Sequence, residues 1–163
     1  MSAFDPKTFI NTSFNEGVDT RTALHRAGDW TGMIGTGDND VAARTARFKD
    51  KETGMDVERQ LWEVVFYADD PAAQDEGFDP PARTRYTMFL DFTPSGTLDF
   101  SAGKNRTLGN LLTALGFQDK TGKLLKPWNP QAWKGMRLRY RVEHKPGKEP
   151  GEIYANVTAV SGL

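Results

Sequence analysis

The chain of 163 residues contains no cysteine. That removes disulfides, thiol nucleophiles and every Cys-ligated zinc site, and it fits a reducing cytoplasm. Histidine is nearly as scarce, with only His25 and His144. Neither stands in a base, ligand or triad setting, so both read as structural. No apolar run approaches the roughly 20 residues of a membrane helix. Met1 to Phe14 lacks a basic start and an apolar core, so no secretory signal is expected. The Asn-x-Ser/Thr triplets at Asn11, Asn105 and Asn156 then read as chance. Gly-x-Gly-x-x-Gly and Gly-x-Ser-x-Gly are also missing. Gly122-Lys123 fails as a phosphate loop, because Leu124 stands where Ser or Thr would bind magnesium and the pair follows a helix. The acids Asp69, Asp70, Asp75, Glu76 and Asp79 lack the spacing of a calcium loop. The sequence therefore predicts no enzyme, no metal and no cofactor.

What the chain does have is an ordinary globular composition, 37% hydrophobic and 11% aromatic, suited to one domain. The net charge of −1 hides an uneven distribution. Residues 1–82 hold 8 Lys/Arg against 16 Asp/Glu, whereas residues 83–145 hold 12 against 4. A basic half thus adjoins an acidic half, and in the basic half charges recur at strand spacing.

The residues 1–27 are polar with sparse apolar anchors, Phe4, Phe9, Ile10, Phe14, Val18 and Leu24, and read as an N-terminal arm with a short helical turn. From Gly28 onward the pattern is β. Extended runs are expected at Trp30–Gly35, Val41–Lys49, Arg59–Ala68, Thr84–Phe92, Gly135–Lys145 and Glu152–Val160. The first two form one long, interrupted strand, with Gly35 and Gly37 at its bend. Leu108, Leu111, Leu112 and Leu115 mark a helix over Lys104–Gly116, capped by Asn105 or Thr107 and stopped by Gly116. A short hairpin is expected at Lys120-Thr121-Gly122. The fold expected is mainly β: a five-stranded OB-type barrel over 28–163, with one α-helix between strands three and four. A β-sandwich with one helix is the competing architecture.

Arg137, Arg139 and Arg141 alternate with Leu138, Tyr140 and Val142. On a strand, three guanidinium groups then share one face about 7 Å apart, close to the spacing of phosphates in an extended single strand. Arg85 and Phe89 share the face opposite Tyr86 and Met88. An outward aromatic beside a cation is what base stacking requires. Both faces of Arg59–Ala68 are apolar, so either Trp62 or Tyr67 could stack. Lys104 and Arg106 flank the helix start, where the dipole does not favour cations and a phosphate would.

Several stretches together resemble the phage-type single-stranded DNA-binding proteins with an OB fold. They are Phe4-Asp5-Pro6-Lys7-Thr8-Phe9, Gly28-Asp29-Trp30-Thr31-Gly32-Met33-Ile34, Leu108-Gly109-Asn110-Leu111-Leu112, Gly135-Met136-Arg137-Leu138 and Tyr154-Ala155-Asn156-Val157. The resemblance implies sequence-independent coating of single-stranded DNA in phage replication or recombination, in the host-cell cytoplasm, with replication or recombination proteins as partners. One departure is plain: the chain closes on Ala159-Val160-Ser161-Gly162-Leu163, without the acidic tail by which many single-strand binders recruit partners. The alternatives are a virion structural or adaptor protein assembling through an apolar strand face, and a barrel holding a small ligand or sugar among Trp30, Trp62, Trp128 or Trp133.

Overall fold

The computed structural model describes residues 5–11, 13–18 and 21–163. Phe4, an expected arm anchor and the first residue of the Phe4–Phe9 run, lies outside them, as does Thr12 of the first Asn-x-Thr/Ser triplet. Six strands form one antiparallel sheet: β1 (Gly28–Ile34), β2 (Val41–Lys49), β3 (Asp56–Ala68), β4 (Arg83–Phe89), β5 (Arg137–Pro146) and β6 (Ile153–Ser161). They bond in the order β2-β3-β1-β5-β6, with β4 on the other edge of β3.

β1 and β2 lie end to end along one edge of β3. Ile34 pairs with Phe66 and Val41 with Val64. Between them the Gly35 N–H donates to the Val65 carbonyl at 3.0 Å, and the Val65 N–H donates to the Asp40 carbonyl at 2.8 Å. The first strand is therefore a single run with 36–39 looped out, as the sequence reading expects. Two glycines leading into this break leave no room for a side chain. A Cβ on Gly32 would stand 2.2 Å from the Tyr67 carbonyl oxygen, and one on Gly35 would stand 2.2 Å from Asp40 Oδ2.

The expected five-stranded barrel is corrected here. The sheet has six strands, because the looped-out residues split the first strand in two. Nor does it close: β4 and β6 approach each other and both touch the helix, but no ladder joins them. The Thr84–Phe92 strand ends at Phe89. Leu90 still turns inward, but Phe92 is exposed and bridges to Leu98 in a small hairpin.

Two α-helices follow a one-turn and a two-turn scale: α1 (Pro6–Phe9) and α2 (Arg106–Ala114). α2 buries Leu108, Leu111 and Leu112. Its end is a Schellman motif, with the Phe117 N–H bonded to the Leu112 carbonyl at 2.9 Å and the Gly116 N–H to the Thr113 carbonyl at 3.2 Å. Gly116 takes φ 81° there, as a C-terminal stop must. The start departs from expectation. Asn105 occupies the N-cap position, but with φ 50° and no side-chain cap. Its amide bonds instead to the Asp91 N–H (2.8 Å) and to the carbonyls of Asp91 and Asp99 (2.9 Å each). The short hairpin expected after α2 forms through the Gln118–Leu124 bridge, with the Asp119 carboxylate accepting from the Thr121 and Lys123 amides.

The core lies between the inner face of the sheet and α2. Phe66 is fully buried between the rings of Tyr86 (5.5 Å) and Tyr140 (5.1 Å). Trp62, Trp128 and the fully buried Trp133 form a second aromatic cluster.

In the arm, α1 supplies the expected helical turn, and Phe9 meets Phe14 edge-on at 5.4 Å. Ile10, Phe14 and Val18 remain exposed. From Arg21 onward the chain is fastened to the body. Arg21 lies over the Phe78 ring, and the Arg26 N–H donates to the Ala73 carbonyl at 2.8 Å. His25 is buried, bonded through Nε2 to the Tyr140 hydroxyl and through Nδ1 to the Arg26 carbonyl, both at 2.9 Å. His144 donates from Nε2 to the His25 carbonyl at 2.8 Å. Both histidines hold the arm on the sheet.

Candidate functional site

Strand alternation and ladder register decide which side chains share a surface. On β3, Trp62, Val64, Phe66 and Ala68 point inward, and Leu61, Glu63, Val65 and Tyr67 point outward. Cross-strand partners point the same way. One row therefore runs across four strands on the outer face: Arg137 on β5 faces Met33 on β1, Met33 faces Tyr67 on β3, and Tyr67 faces Arg83 on β4. Arg85 follows beside Val65, and Phe89 beside Leu61, whose β2 partner is Arg44. Arg139 and Arg141 continue the row along β5, opposite Thr31 and Asp29.

Six of the sequence-predicted residues thus meet on one face: Tyr67, Arg85, Phe89, Arg137, Arg139 and Arg141. Three do not join them. Trp62 points inward and packs against Trp128 and Trp133 at about 6 Å. Lys104 and Arg106 are exposed at the start of α2, which packs on the inner side of β4, where the Tyr86 hydroxyl donates to the Thr107 carbonyl at 2.9 Å. Two residues the sequence reading passed over, Arg44 and Arg83, belong to the outer face. The signal for Arg83 was present, since it stands two residues before Arg85 on the same alternation.

The arginines of this face differ in what they hold. Arg137 is ion-paired to Asp69, and Arg141 to Asp29 with Nε to Oδ1 at 2.8 Å. Arg44 pairs with the largely covered Glu63 at 2.8 Å. Arg139, Arg83 and Arg85 have no carboxylate partner among the described residues. The bond from Arg141 holds Asp29 below the usual carboxylate range, and Asp29 in turn raises Arg141. Tyr67 donates its hydroxyl to Asp40 at 3.1 Å. Burial, then the bond to Asp40, raises the phenol, and Arg83 pulls it the other way. Phe89 is 41% exposed and carries the Arg59 guanidinium 4.9 Å above its ring. Such an exposed cation–π contact is worth about 0.5–1 kcal/mol and fixes one side of the ring.

A shallow depression of about 500 Å³ opens where β1, β5 and β6 adjoin, and its lining includes Asp29, Thr31, Arg139, Arg141, Ala159 and Ser161. A smaller one of about 200 Å³ lies at the edge of Trp62, beside Val41, Asn129 and Gln131. The four tryptophans do not line one closed pocket. Trp30 is apart from the other three, edge-on to His25 at 5.7 Å. No group of three or more His, Asp or Glu side chains is placed to hold a metal ion among the described residues. No described helix is long and apolar enough to cross a membrane. No protein-family model matches the chain, and no curated protein matches its sequence.

Proposed function

We propose that the protein is a non-catalytic binder of single-stranded DNA, sequence-independent, acting in replication or recombination of the phage type. The observation that carries this reading is the outer-face row from Arg137 through Tyr67 to Arg83, extended by Arg139, Arg141, Arg85 and the outward ring of Phe89. A single strand needs cations at phosphate spacing and an open aromatic surface, and this face offers both. Arg139, Arg83 and Arg85 make the first phosphate contacts, and Phe89 and Tyr67 are the stacking groups. The strand order supports an OB-type reading. With β1 and β2 counted as one interrupted strand there are five, and α2 falls between the third and fourth. The cytoplasm, of the host cell for a phage protein, is the compartment proposed, and replication or recombination proteins are the partners.

Assembly through an apolar strand face, as in a virion structural protein, has less to stand on. The apolar outer residues of β3, Leu61 and Val65, are already covered within the chain. The test is fluorescence anisotropy of a dye-labelled oligothymidine titrated with protein. Saturable binding should weaken between 50 and 200 mM salt by roughly 2–3-fold for each phosphate neutralised. Arg85→Ala/Arg139→Ala should lower affinity at least tenfold with an unchanged melting temperature. Equal affinity in the variant would remove these arginines from the site, and no binding by the native protein at 50 mM salt would discard the function.

A further inference from the structure

Of the three arginines on β5, the outer two are occupied and the middle one is open. Asp69 holds Arg137, and Asp29 holds Arg141. Arg139 stands between them over the depression at β1, β5 and β6, without a carboxylate of its own among the described residues. Both acids are fixed by backbone. Asp29 is on β1, directly opposite Arg141 in the ladder. Asp69 follows β3, and its N–H donates to the Thr31 carbonyl at 2.9 Å. Both remain in contact with solvent, with side chains 73% and 39% exposed.

A carboxylate presents two oxygens to a guanidinium much as a phosphate does. We infer that Asp29 and Asp69 are built-in phosphate mimics that occupy Arg141 and Arg137 in the free protein and must yield them when the anionic backbone of a single strand arrives. This deepens the single-strand reading and rests on it. The exchange is feasible because ion pairs this exposed to water are weak. It also has a consequence for salt. A strand that displaces a carboxylate releases its own counterion, but the freed carboxylate takes one up. Each masked arginine therefore adds little to the salt dependence, and Arg139 dominates this part of the site. In effect the acids hold affinity down, so that a bound strand can leave.

The experiment is the same anisotropy titration over a salt series, comparing the native protein with D29N/D69N. The control is Glu52→Gln/Asp56→Asn at the β2–β3 turn, which makes the same change in net charge away from β5. D29N/D69N should bind more tightly than both at 50 mM salt. Its loss of affinity between 50 and 200 mM should exceed the native loss by about sevenfold, the increment for two unmasked phosphate contacts on a single strand. Native binding with D29N/D69N indistinguishable from the control would overturn the inference and leave the single-strand reading standing. Binding by D29N/D69N alone would discard the single-strand function of the native protein, and the inference with it. No binding by any of the three would overturn both.

Discussion

At the scale of single residues, His25 has the clearest energetic role. Burial, the largest cause, lowers its pKa below 6.5, and the nearby His144 adds to this, while the bond to the Arg26 carbonyl opposes it. The neutral ring is what the fold accepts, with Nδ1–H donating to Arg26 and Nε2 accepting from Tyr140. In the unfolded chain the ring protonates near 6.5, whereas in the folded chain it resists. The unfolded state then binds more protons, so stability falls as pH drops below about 6.5 and levels off once the folded ring also protonates. Melting temperatures taken from pH 7.5 down to 5 should show this fall, and His25→Gln should flatten it. None of this is visible in the sequence, where His25 sits in a polar stretch and only the ladder brings Tyr140 beneath it. Gly32 makes a second residue-scale case. Gly32→Ala would drive a methyl group into the Tyr67 carbonyl, an immovable backbone atom. A loss of about 1–3 kcal/mol or more is expected by urea unfolding. Gly54→Ala, with open space around it but φ 69°, should lose less, about 1 kcal/mol.

At the scale of elements, legibility followed periodicity. β4 and β5 were plain in the sequence because each has one buried and one wet face, and α2 because its leucines keep a helical stripe. β3 was equally plain as a strand, but its buried side was not, since both its faces are apolar. Only the register shows that Trp62 packs on Trp133 while Leu61 lies under the outer side chains. The helix start was misread for a related reason. A short polar residue before an apolar stripe signals a cap, yet Asn105 turns its amide toward the preceding loop. It takes part in four hydrogen bonds with Asp91 and Asp99, counting its own N–H to Asp91 Oδ2. Asn105→Ala should therefore cost about 1–3 kcal/mol, because the Asp91 N–H and the carbonyls of Asp91 and Asp99 lose their bonds to the buried amide. Asn105→Gly relieves the positive φ but loses the same side-chain bonds. If it proves almost as destabilising on calorimetry, the stitching of the loop, not the backbone conformation, is what Asn105 provides.

At the scale of the whole molecule, the inner and outer faces of the sheet carry separate tasks. The inner face is stability. Phe66→Ala should cost about 3–5 kcal/mol, since its ring is enclosed by Tyr86 and Tyr140 and no neighbour can collapse into the space. The outer face is charge, and five of its residues, Arg85, Phe89, Arg137, Arg139 and Arg141, were legible from strand alternation alone, whereas Tyr67 needed the register. Trp62, Lys104 and Arg106 lie off this face, a placement that depends on how the strands pair and where the helix rests. Charge counted along the chain also misleads in one respect. The acids Asp29 and Asp69 belong to the acidic half of the sequence but sit among the arginines of the basic half.

The attachment of the arm decides where the molecule can be shortened. A chain trimmed to start at Arg21 retains the guanidinium over the Phe78 ring, the bond to Ala73 and the buried imidazole. A chain trimmed to start at Gly28 keeps every strand, yet it strips the cover from Trp30 and leaves the Tyr140 hydroxyl without its acceptor. The sheet alone is thus less than its own packing needs, and the chain that starts at Gly28 should melt below the one that starts at Arg21.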